Sequence, residues 1–352
     1  MNSVVNIDNG KDATVRQLMA PLVPFLADPE VTELEITGAG GLFAKAKGRR
    51  VWHEIPRLTL ADLYAFANAV AVFNGVSLRP ILSVVMPDGE RAQIVTPPAC
   101  IDGTLAINIR KHSTRAFSLA EMESQGVFET VTDTSFNQPT PAEIQEMQHR
   151  TDMTRLDGEE AELLQLKQEG RWREFLMKAV EYKRNIIIAG KTGSGKTTFA
   201  RSLTQVIPVD ERVVTIEDVH ELKLDNHANK VHLLYGTGPG RISSREALEA
   251  CMRLSMDRIL LAELRGEEAL TYVNSLNTGH PGSITTTHAN NAIDTYSRVA
   301  DLVKTSATGR DIGADVIKDM LYKTLHVVVF YKDMRVHQIF YDPVFAKAPR
   351  TA

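Results

Sequence analysis

An apolar strand followed by a glycine-rich loop and a helix constrains this chain more than any other feature. The stretch NIIIAG runs into residues 190–197, GKTGSGKT, and TTFARSLTQVI follows as a helix. The pattern G-x-x-x-x-G-K-[ST] needs glycines because backbone N–H groups must turn inward to form a nest for phosphate. The positive end of the following helix points at the same anion. This context disfavours a chance glycine-rich turn, so we predict a phosphate-binding loop in an α/β domain.

The residues of this loop have expected roles. Lys196 reaches the β- and γ-phosphates of a nucleotide, and the hydroxyl of Thr197 takes a Mg²⁺ position. The predicted nucleotide-binding residues of the loop are Gly190, Lys191, Thr192, Gly193, Ser194, Gly195, Lys196, Thr197 and Thr198. ATP and Mg²⁺ are therefore the expected cofactors.

Strands and helices alternate after the loop. Besides NIIIAG, the predicted strands are RVVTIE, KVHLLYG, RILLAE and SITTTHA, and residues 244–254 form one of the helices between them. Such alternation implies a mainly parallel sheet. Helical spacing begins at 162–185, and a hairpin at 326–341 closes the chain, so we place this domain at 162–352.

The first part of the chain predicts a smaller α+β domain, residues 1–127. Residues 13–27 have helical spacing, and we expect this helix to dock on its own core. The alternative, a membrane-surface anchor, is disfavoured because Arg16 is the one basic residue of its apolar face. The other predicted elements are strands at 31–36 and within 40–55, a helix at 60–75, two strands at about 80–96 and 103–110, and a short helix at 118–126. The polar stretch 128–161 is interpreted as a long linker with at most one helical turn.

The composition is typical of a soluble globular protein. A net charge of −4 over 352 residues gives no electrostatic basis for stable nucleic-acid binding. Cys100 and Cys251 lie far apart and form no CxxC pair, which disfavours a disulfide framework or a zinc site and favours a reducing cytosol. No apolar run approaches the roughly 20 residues that span a bilayer, and the N-terminus lacks the pattern of a signal peptide.

Two glutamates follow apolar strands of the second domain. Glu217, followed by Asp218, ends RVVTIE, and Glu263 ends RILLAE. The place before Glu263, where a P-loop protein usually has an Asp, is filled by Ala262. Because ligands bind beyond the carboxyl ends of parallel strands, we expect both glutamates to face the nucleotide, where one could position an attacking water. Salt bridges at strand ends are the alternative interpretation, and it weakens when both glutamates are considered together.

Two histidines flank a threonine-rich strand in LNTGHPGSITTTHAN. They are His280 and His288, and their separation of eight residues does not fit a helix-borne zinc pair. We expect both in the nucleotide crevice, where a γ-phosphate sensor is favoured over a metal site. A structural role for either histidine is the alternative.

Four stretches in this order resemble the signature of the secretion ATPase superfamily: GKTGSGKTT, TIEDVHEL, DRILLAELRG and TGHPGSITTTHAN. They are similar to its Walker A, Asp box, atypical Walker B and His box. Members drive type II secretion, type IV pili and type IV secretion, and they lack the Walker B Asp but keep a Glu, as this chain does. DPEVTELEI, MPDGERAQIV and INIRKHS resemble the superfamily's N-terminal domain. The short N-terminus, the missing tetracysteine insert, the overall length and the Pro in TGHPGS favour the VirB-type traffic ATPases of type IV secretion.

The resemblance implies a RecA-like ATPase domain and a homohexameric ring in which the nucleotide lies between the two domains. It implies that Glu217 is the water-positioning base, that Glu263 supports Mg²⁺ and that His288 senses the γ-phosphate. Arg91 and Arg110, in the N-terminal domain, would reach the phosphates. The long polar stretch leaves open a domain swap between neighbouring subunits.

The expected function is that of an ATP-hydrolysing traffic motor in type IV secretion, for conjugation or effector export. Its expected place is the cytoplasm, peripherally on the inner membrane, with other ATPases and inner-membrane components of the machine as partners. Three alternatives stay open: a pilus or type II secretion motor, a RecA-like motor that translocates nucleic acid, and a scaffold that binds ATP without turnover. The acidic charge disfavours the second, and the two strand-end glutamates disfavour the third.

Overall fold

The computed structural model describes residues 12–111, 116–236 and 241–348. Contacts divide them into two units, of which residues 12–111 form the first and 116–236 with 241–348 form the second. In the part that is described, no helix has both the length and the apolar composition needed to cross a membrane.

The first unit is an antiparallel sheet packed against helices. Its strands are β1 Val31–Ile36, β2 Gly41–Ala46, β3 Arg49–Glu54, β4 Ile81–Val85, β5 Arg91–Val95 and β6 Ala106–Arg110. Its helices are α1 Ala13–Leu18, α2 Val23–Ala27 and α3 Leu60–Phe73, with a 3₁₀ turn at Ala20–Leu22. The strand order is β3-β2-β1-β6-β5-β4, and every neighbouring pair is antiparallel.

Alternation and capping explain why the first unit forms. Side chains such as Leu34, Ile94 and Ile109 occupy alternate strand positions and are buried in one core with the apolar faces of the helices. Helix α3 begins at a capping box, in which the Thr59 hydroxyl accepts from the backbone N–H of Asp62 and the Asp62 carboxylate accepts from the N–H of Thr59.

Two predicted elements of this unit are divided in the structure. The single strand predicted at about 80–96 is a hairpin of β4 and β5, and Gly89, at φ +94°, lies in its turn. The apolar alternation continues across the turn, so the pattern alone hides it. The helix predicted at 13–27 is interrupted by Pro21, which lacks an N–H. Val15 and Leu22 are buried in the core of their own unit, as expected for a docked helix.

The polar stretch 128–161 is structured and lies in the second unit, which differs from the linker that we predicted. After α4, Leu119–Ser124, it contains β7 Thr132–Asp133, α5 Pro141–Gln148 and the start of α6 Gly158–Gln168. One of its carboxylates is paired with a later helix: an oxygen of Asp133 lies 3.0 Å from Nζ of Lys167, a buried residue of α6. Composition cannot reveal a pairing between residues that are distant in sequence.

The helix predicted at 162–185 is also divided, into α6 and α7 Trp172–Glu181, with Gly170 at φ +68° between them.

The sheet of the second unit is mainly parallel, as predicted. Besides β7, its strands are β8 Ile186–Ala189, β9 Val213–Glu217, β10 Lys230–Leu234, β11 Arg258–Leu261, β12 Ile284–Thr287, β13 Val327–Lys332 and β14 Arg335–Phe340. The order is β10-β9-β11-β12-β8-β13-β14-β7. The pairs from β10 to β13 are parallel, and β13 and β14 form the predicted antiparallel hairpin.

Helices cover both faces of this sheet. They include α8 Lys196–Thr204, α9 Ser244–Cys251, α10 Glu268–Asn277, α11 Ala292–Thr305, α12 Ala314–Thr324 and α13 Pro343–Lys347. Successive residues of the central strand β8 enter opposite cores: Ile186 and Ile188 lie in one, Ile187 and Ala189 in the other. Burial on both faces explains why β8 is a continuous apolar run.

His326 predicts how the stability of the second unit depends on pH. Its Nδ1 accepts a hydrogen bond of 2.9 Å from the backbone N–H of Asn185, which requires a neutral ring. Burial, together with the nearby charge of Arg184, lowers the pKa of His326 from 6.5 to about 4. In the unfolded chain His326 is protonated below pH 6.5, whereas in the folded chain it is protonated only below about pH 4. This contribution to stability is complete above pH 6.5 and falls between the two values.

We expect His326→Asn, which keeps an acceptor but does not titrate, to make stability less dependent on pH. Urea unfolding of both proteins at about pH 7.5 and about pH 5 measures the difference in free energy. An equal loss of stability on acidification in wild type and variant would contradict a neutral His326 ring in the folded chain.

Candidate active site

The loop between β8 and α8 is shaped by contacts that admit only glycine. A Cβ on Gly190 would overlap the backbone carbonyl oxygen of Tyr331 in β13, and one on Gly195 would overlap the thioether of Met334. Gly193 and Gly195 have φ values of +75° and +94°, which other residues rarely adopt. The loop thus turns tightly against the β13–β14 hairpin before α8 begins at Lys196.

Lys196 lies across this loop. Its side chain is largely buried, and its Nζ donates hydrogen bonds of 2.9 Å to the backbone carbonyls of Gly190 and Lys191. The same Nζ is 3.4 Å from Nδ1 of His288, which follows β12. The ammonium is therefore held at the mouth of the loop, where it can exchange carbonyl oxygens for phosphate oxygens.

A chain of charged side chains leads from Lys196 along the carboxyl edge of the sheet. Nε2 of His288 lies 2.7 Å from Oε1 of Glu263, which follows β11. Oε2 of Glu263 accepts a 2.5 Å hydrogen bond from Arg265, and Arg265 also donates to Asp218 at 2.9 Å. The structure therefore brings Lys196, His288 and Glu263 together as the sequence predicts. The contacts of Arg265 with Glu263 and Asp218 were not foreseen, because nothing in LAELRG distinguishes this arginine from a solvated one.

Ala262, directly after β11, occupies the position where a P-loop protein usually has an Asp. Its side chain is partly buried against the core, and its carbonyl accepts a hydrogen bond of 2.8 Å from Thr286. Ala262 and Thr197, the second residue of α8, line the same small cavity together with Thr286. The hydroxyl-bearing residue predicted for Mg²⁺ thus lies beside the strand end from which Glu263 follows.

Glu217 has an environment unlike that of Glu263. It is fully buried, and Oε2 accepts from the backbone N–H groups of Glu221 and Leu222 at 2.7 and 2.8 Å. Oε1 accepts from the Thr215 hydroxyl at 2.8 Å and lies 3.2 Å from Nδ1 of His220. Burial alone would raise the pKa of Glu217, but the hydrogen bonds from His220, the two N–H groups and Thr215 outweigh it and lower the pKa. Glu217 is an ionised carboxylate with both oxygens engaged by protein donors.

Two histidines that we did not predict surround Glu217. Nδ1 of His232, on β10, lies 3.8 Å from Oε1 of Glu217, and the His232 and His220 rings are 4.2 Å apart between centroids. Burial, followed by the proximity of His220, lowers the pKa of His232, which keeps this ring neutral at neutral pH. The available signal was weak: His220 stands three residues after Glu217, but His232 comes from the next strand.

The prediction that His280 and His288 share the nucleotide crevice is wrong for His280. His280 precedes β12 and His288 follows it, so the full length of the strand separates them. Because all strands from β10 to β13 are parallel, His280 lies at the amino edge of the sheet, away from the loop. Placing both residues in one cluster ignored that a strand of four residues is about 13 Å long.

Arg91 and Arg110 lie in the first unit, directly opposite each other on β5 and β6. The cross-strand register continues from Arg110 to Glu33, Lys45 and Arg50. Residues opposite one another in antiparallel strands share a face of the sheet, so this cationic row, Arg50–Lys45–Glu33–Arg110–Arg91, has four basic side chains and one carboxylate. Glu33 contacts two of them, Lys45 at 3.1 Å and Arg110 at 3.8 Å.

Comparison with known proteins places the chain in a family. The family model described as type II/IV secretion system protein matches residues 152–335. The type IV secretion system protein VirB11 of Brucella suis biovar 1 (strain 1330) is 37% identical over 346 residues, covering 94% of this chain and 91% of that protein. The chain belongs to the type II/IV secretion system protein family.

Two solved structures have a similar fold, and the first also has related sequence. The crystal structure of the VirB11 ATPase from the Brucella suis type IV secretion system, in complex with sulphate, is 35% identical. It covers 96% of this chain and 97% of its own, with a TM-score of 0.52. The pilus retraction motor PilT with bound ADP is 18% identical at a TM-score of 0.54, covers 89% of this chain and 77% of its own, and shows the fold alone.

These findings confirm the resemblance to the VirB-type ATPases and the RecA-like α/β fold with a smaller α+β domain before it. They also confirm that the chain is an ATPase of type IV secretion, and nucleotide binding follows from that activity.

Glu217→Gln is expected to destabilise the second unit by about 1–3 kcal/mol. An amide has only one acceptor oxygen, and its NH₂ group would face protein donors that now bind the second carboxylate oxygen. Urea unfolding at neutral pH measures the change. The control is Glu249→Gln, whose surface pair with Arg245 contributes little. Equal stability of the two variants would show that the buried carboxylate does not hold its four donors.

Proposed function

We propose that this ATPase works as a homohexameric ring, hydrolyses MgATP at the loop between β8 and α8, and moves its N-terminal unit to drive traffic through a type IV secretion machine. The observation that carries this proposal is the contact chain Lys196–His288–Glu263 at the carboxyl edge of the sheet. In this proposal the ring lies in the cytoplasm, peripherally on the inner membrane. Other ATPases and inner-membrane components of the machine are its partners, and it binds no nucleic acid stably.

The residues present fit a magnesium-bound triphosphate. The buried hydroxyl of Ser194, within the loop, has no hydrogen-bond partner among the described residues. The Thr197 hydroxyl and the Glu263 carboxylate are oxygen donors, the class that Mg²⁺ prefers. The ion would neutralise charge on the β- and γ-phosphates, and these two residues would hold it, Glu263 directly or through water. The backbone from Gly190 to Gly195, with Lys191, Thr192 and Thr198, would surround the phosphates.

We assign the role of orienting the attacking water to Glu263, and not to Glu217 as the resemblance implies. Glu263 contacts His288 and Arg265, and its link to the loop runs through His288 to Lys196. Glu217 would have to give up the backbone hydrogen bonds of Glu221 and Leu222, or those of Thr215 and His220, before it could bind water. The two strand-end glutamates therefore have different roles: Glu263 orients water, and Glu217 holds the chain that follows β9.

His288 is placed to report whether a γ-phosphate is present. One ring nitrogen faces Lys196 and the carbonyl of Gly190, at 3.4 and 3.1 Å, and the other faces Glu263. A phosphate that draws Lys196 away from the loop carbonyls changes the hydrogen-bond partners on one side of the ring. His288 would pass this change to the carboxylate that orients the water.

The cationic row of the first unit supports a role for Arg91 and Arg110 in binding the phosphates. Arg91 and Arg110 lie directly opposite each other on β5 and β6, and like charges in that position destabilise a sheet. An anionic ligand would relieve this repulsion. Guanidinium groups bind phosphate oxygens in pairs and cannot deprotonate, so Arg110 and Arg91 would favour ATP over ADP and link hydrolysis to domain motion.

Glu263→Gln should keep nucleotide binding but lower turnover by about 100-fold or more, because an amide cannot accept a proton from water. Phosphate release and binding of a fluorescent ATP analogue are measured side by side. Glu267→Gln, an exposed neighbour, should behave as wild type, and Lys196→Gln should lose turnover because its point charge is missing. If Glu263→Gln turns over normally while Glu217→Gln is folded but inactive, Glu217 and not Glu263 orients the attacking water.

Arg110→Ala should lower turnover by about 10–100-fold, the effect of losing charge-assisted hydrogen bonds worth about 1.5–3 kcal/mol. Arg110→Lys should recover only part of this loss, because the fork of donors is gone. Turnover and ATP-induced compaction by small-angle scattering are compared with Arg50→Ala, a change at the far end of the same row. If Arg110→Ala with Arg91→Ala matches Arg50→Ala in both measurements, the coupling of hydrolysis to motion does not use these arginines.

A further inference from the structure

Three side chains of metal-binding type meet at the carboxyl end of β9. They are Glu217, His220 and His232, and each places one ligand atom within 4.8 Å of the other two. Within residues 12–111, 116–236 and 241–348 this is the one such group of histidine, cysteine and acidic residues. We propose that Glu217, His220 and His232 form a site for a divalent transition-metal ion of the Zn²⁺ class.

The distances between the ligand atoms suit such an ion. Two ligands of a tetrahedral zinc ion, each at about 2.0–2.1 Å from it, lie about 3.3 Å apart. Oε1 of Glu217 is 3.2 Å from Nδ1 of His220 and 3.8 Å from Nδ1 of His232. The Glu217–His220 distance thus already matches the separation of two zinc ligands. Small rotations of the His232 side chain would bring its Nδ1 to the same separation from the other two ligand atoms. Two imidazoles and one carboxylate select zinc and its neighbours over Mg²⁺ or Ca²⁺, which prefer oxygen ligands only.

The surroundings of Glu217 orient it to bind a metal ion. Oε2 is engaged by the N–H groups of Glu221 and Leu222, which fixes the carboxylate and directs Oε1 toward the two histidines. The Thr215 hydroxyl lies 2.8 Å from both Oε1 of Glu217 and Nδ1 of His232. The two N–H groups on Oε2 are outer hydrogen bonds of the kind that usually hold a metal ligand. An ion would replace the His220 hydrogen bond on Oε1 and the Thr215 contact at Nδ1 of His232.

Solvent reaches the site from the side of the histidines. The side chain of His220 is 41% exposed and that of His232 is 23% exposed, while Glu217 forms the buried floor. An ion could therefore enter past His220 and keep a water molecule as its fourth ligand. Binding requires a lone pair on each Nδ1, so the proton that His220 shares with Glu217 moves to its other ring nitrogen or to solvent.

The ion would lie beside the charged chain of the proposed active site but outside it. Asp218, the residue after Glu217, is 2.9 Å from Arg265, which also contacts Glu263. No step of hydrolysis passes through Glu217, His220 or His232 in the function proposed above. The metal site can therefore be tested without nucleotide, and the two proposals can fail separately.

The experiment measures Zn²⁺ and Co²⁺ binding to the full chain after treatment with a chelator, without nucleotide and with excess Mg²⁺ in the buffer. Competition with a chromophoric chelator gives the Zn²⁺ affinity, and the visible spectrum of Co²⁺ reports the ligand set. We expect one ion per chain and a Co²⁺ spectrum without the charge-transfer band of a thiolate. His220→Gln and His232→Gln should each weaken Zn²⁺ binding by at least about 10–100-fold, and the double variant should abolish it.

His149→Gln, a change of an exposed histidine at the end of α5, and Cys100→Ser are the controls, and both should bind Zn²⁺ as wild type does. His220→Gln alone decides the question if His232→Gln does not fold, because the His220 side chain is more exposed than that of His232, at 41% against 23%. Unaltered stoichiometry and affinity in His220→Gln, no Zn²⁺ binding by wild type, or loss of binding in Cys100→Ser would each overturn the proposal.

Discussion

The parallel pairing of β9, β11, β12 and β8 brings four strand ends to one edge of the sheet, and the rest of the site depends on that pairing. Each strand is followed at this edge by a functional element. The glycine loop follows β8, His288 follows β12, Glu263 follows β11 and Asp218 follows β9. These residues are distant in sequence and meet because the register of the strands is parallel. The same register places His280 at the opposite edge, although it is a near neighbour of His288 in the chain.

Much of this arrangement could be predicted from the sequence, because local patterns specify it. A glycine loop between an apolar strand and a helix has few interpretations, and apolar runs of four to six residues located each strand of the second sheet from β8 to β14. The failures share a cause. The hairpin of β4 and β5, the paired Lys167 and Asp133, and the burial of Glu217 all depend on contacts between residues that the chain pattern does not relate. Polar composition made 128–161 resemble a linker, although some of its polar residues form the capping boxes of α5 and α6.

The two strand-end glutamates illustrate why a motif position does not fix a role. Both follow apolar strands of one sheet, and sequence reasoning gave both to the nucleotide. The chain after β9 turns back so that two backbone N–H groups bind Oε2 of Glu217, whereas the chain after β11 continues into Arg265 and α10. A carboxylate with four donors is fixed and ionised, which suits an anchor or a metal ligand. Glu263 is hydrogen-bonded by Arg265 through one oxygen and lies near His288 with the other, so it can exchange partners, which suits a group that must respond to phosphate and water.

Arg265 joins the two environments. Its guanidinium binds Glu263 on one side and Asp218 on the other, so the ends of β11 and β9 share one cation. If a phosphate or metal ion draws Glu263 away, Asp218 is the one carboxylate of this pair that still binds Arg265. The attraction between Arg265 and Asp218 then acts on the segment that follows Glu217. That segment is anchored by the two N–H groups bound to Oε2 of Glu217 and bordered by His220 and His232. Nucleotide state at the loop and ion binding at the end of β9 would therefore influence each other through a single arginine, in both directions, as thermodynamic linkage requires.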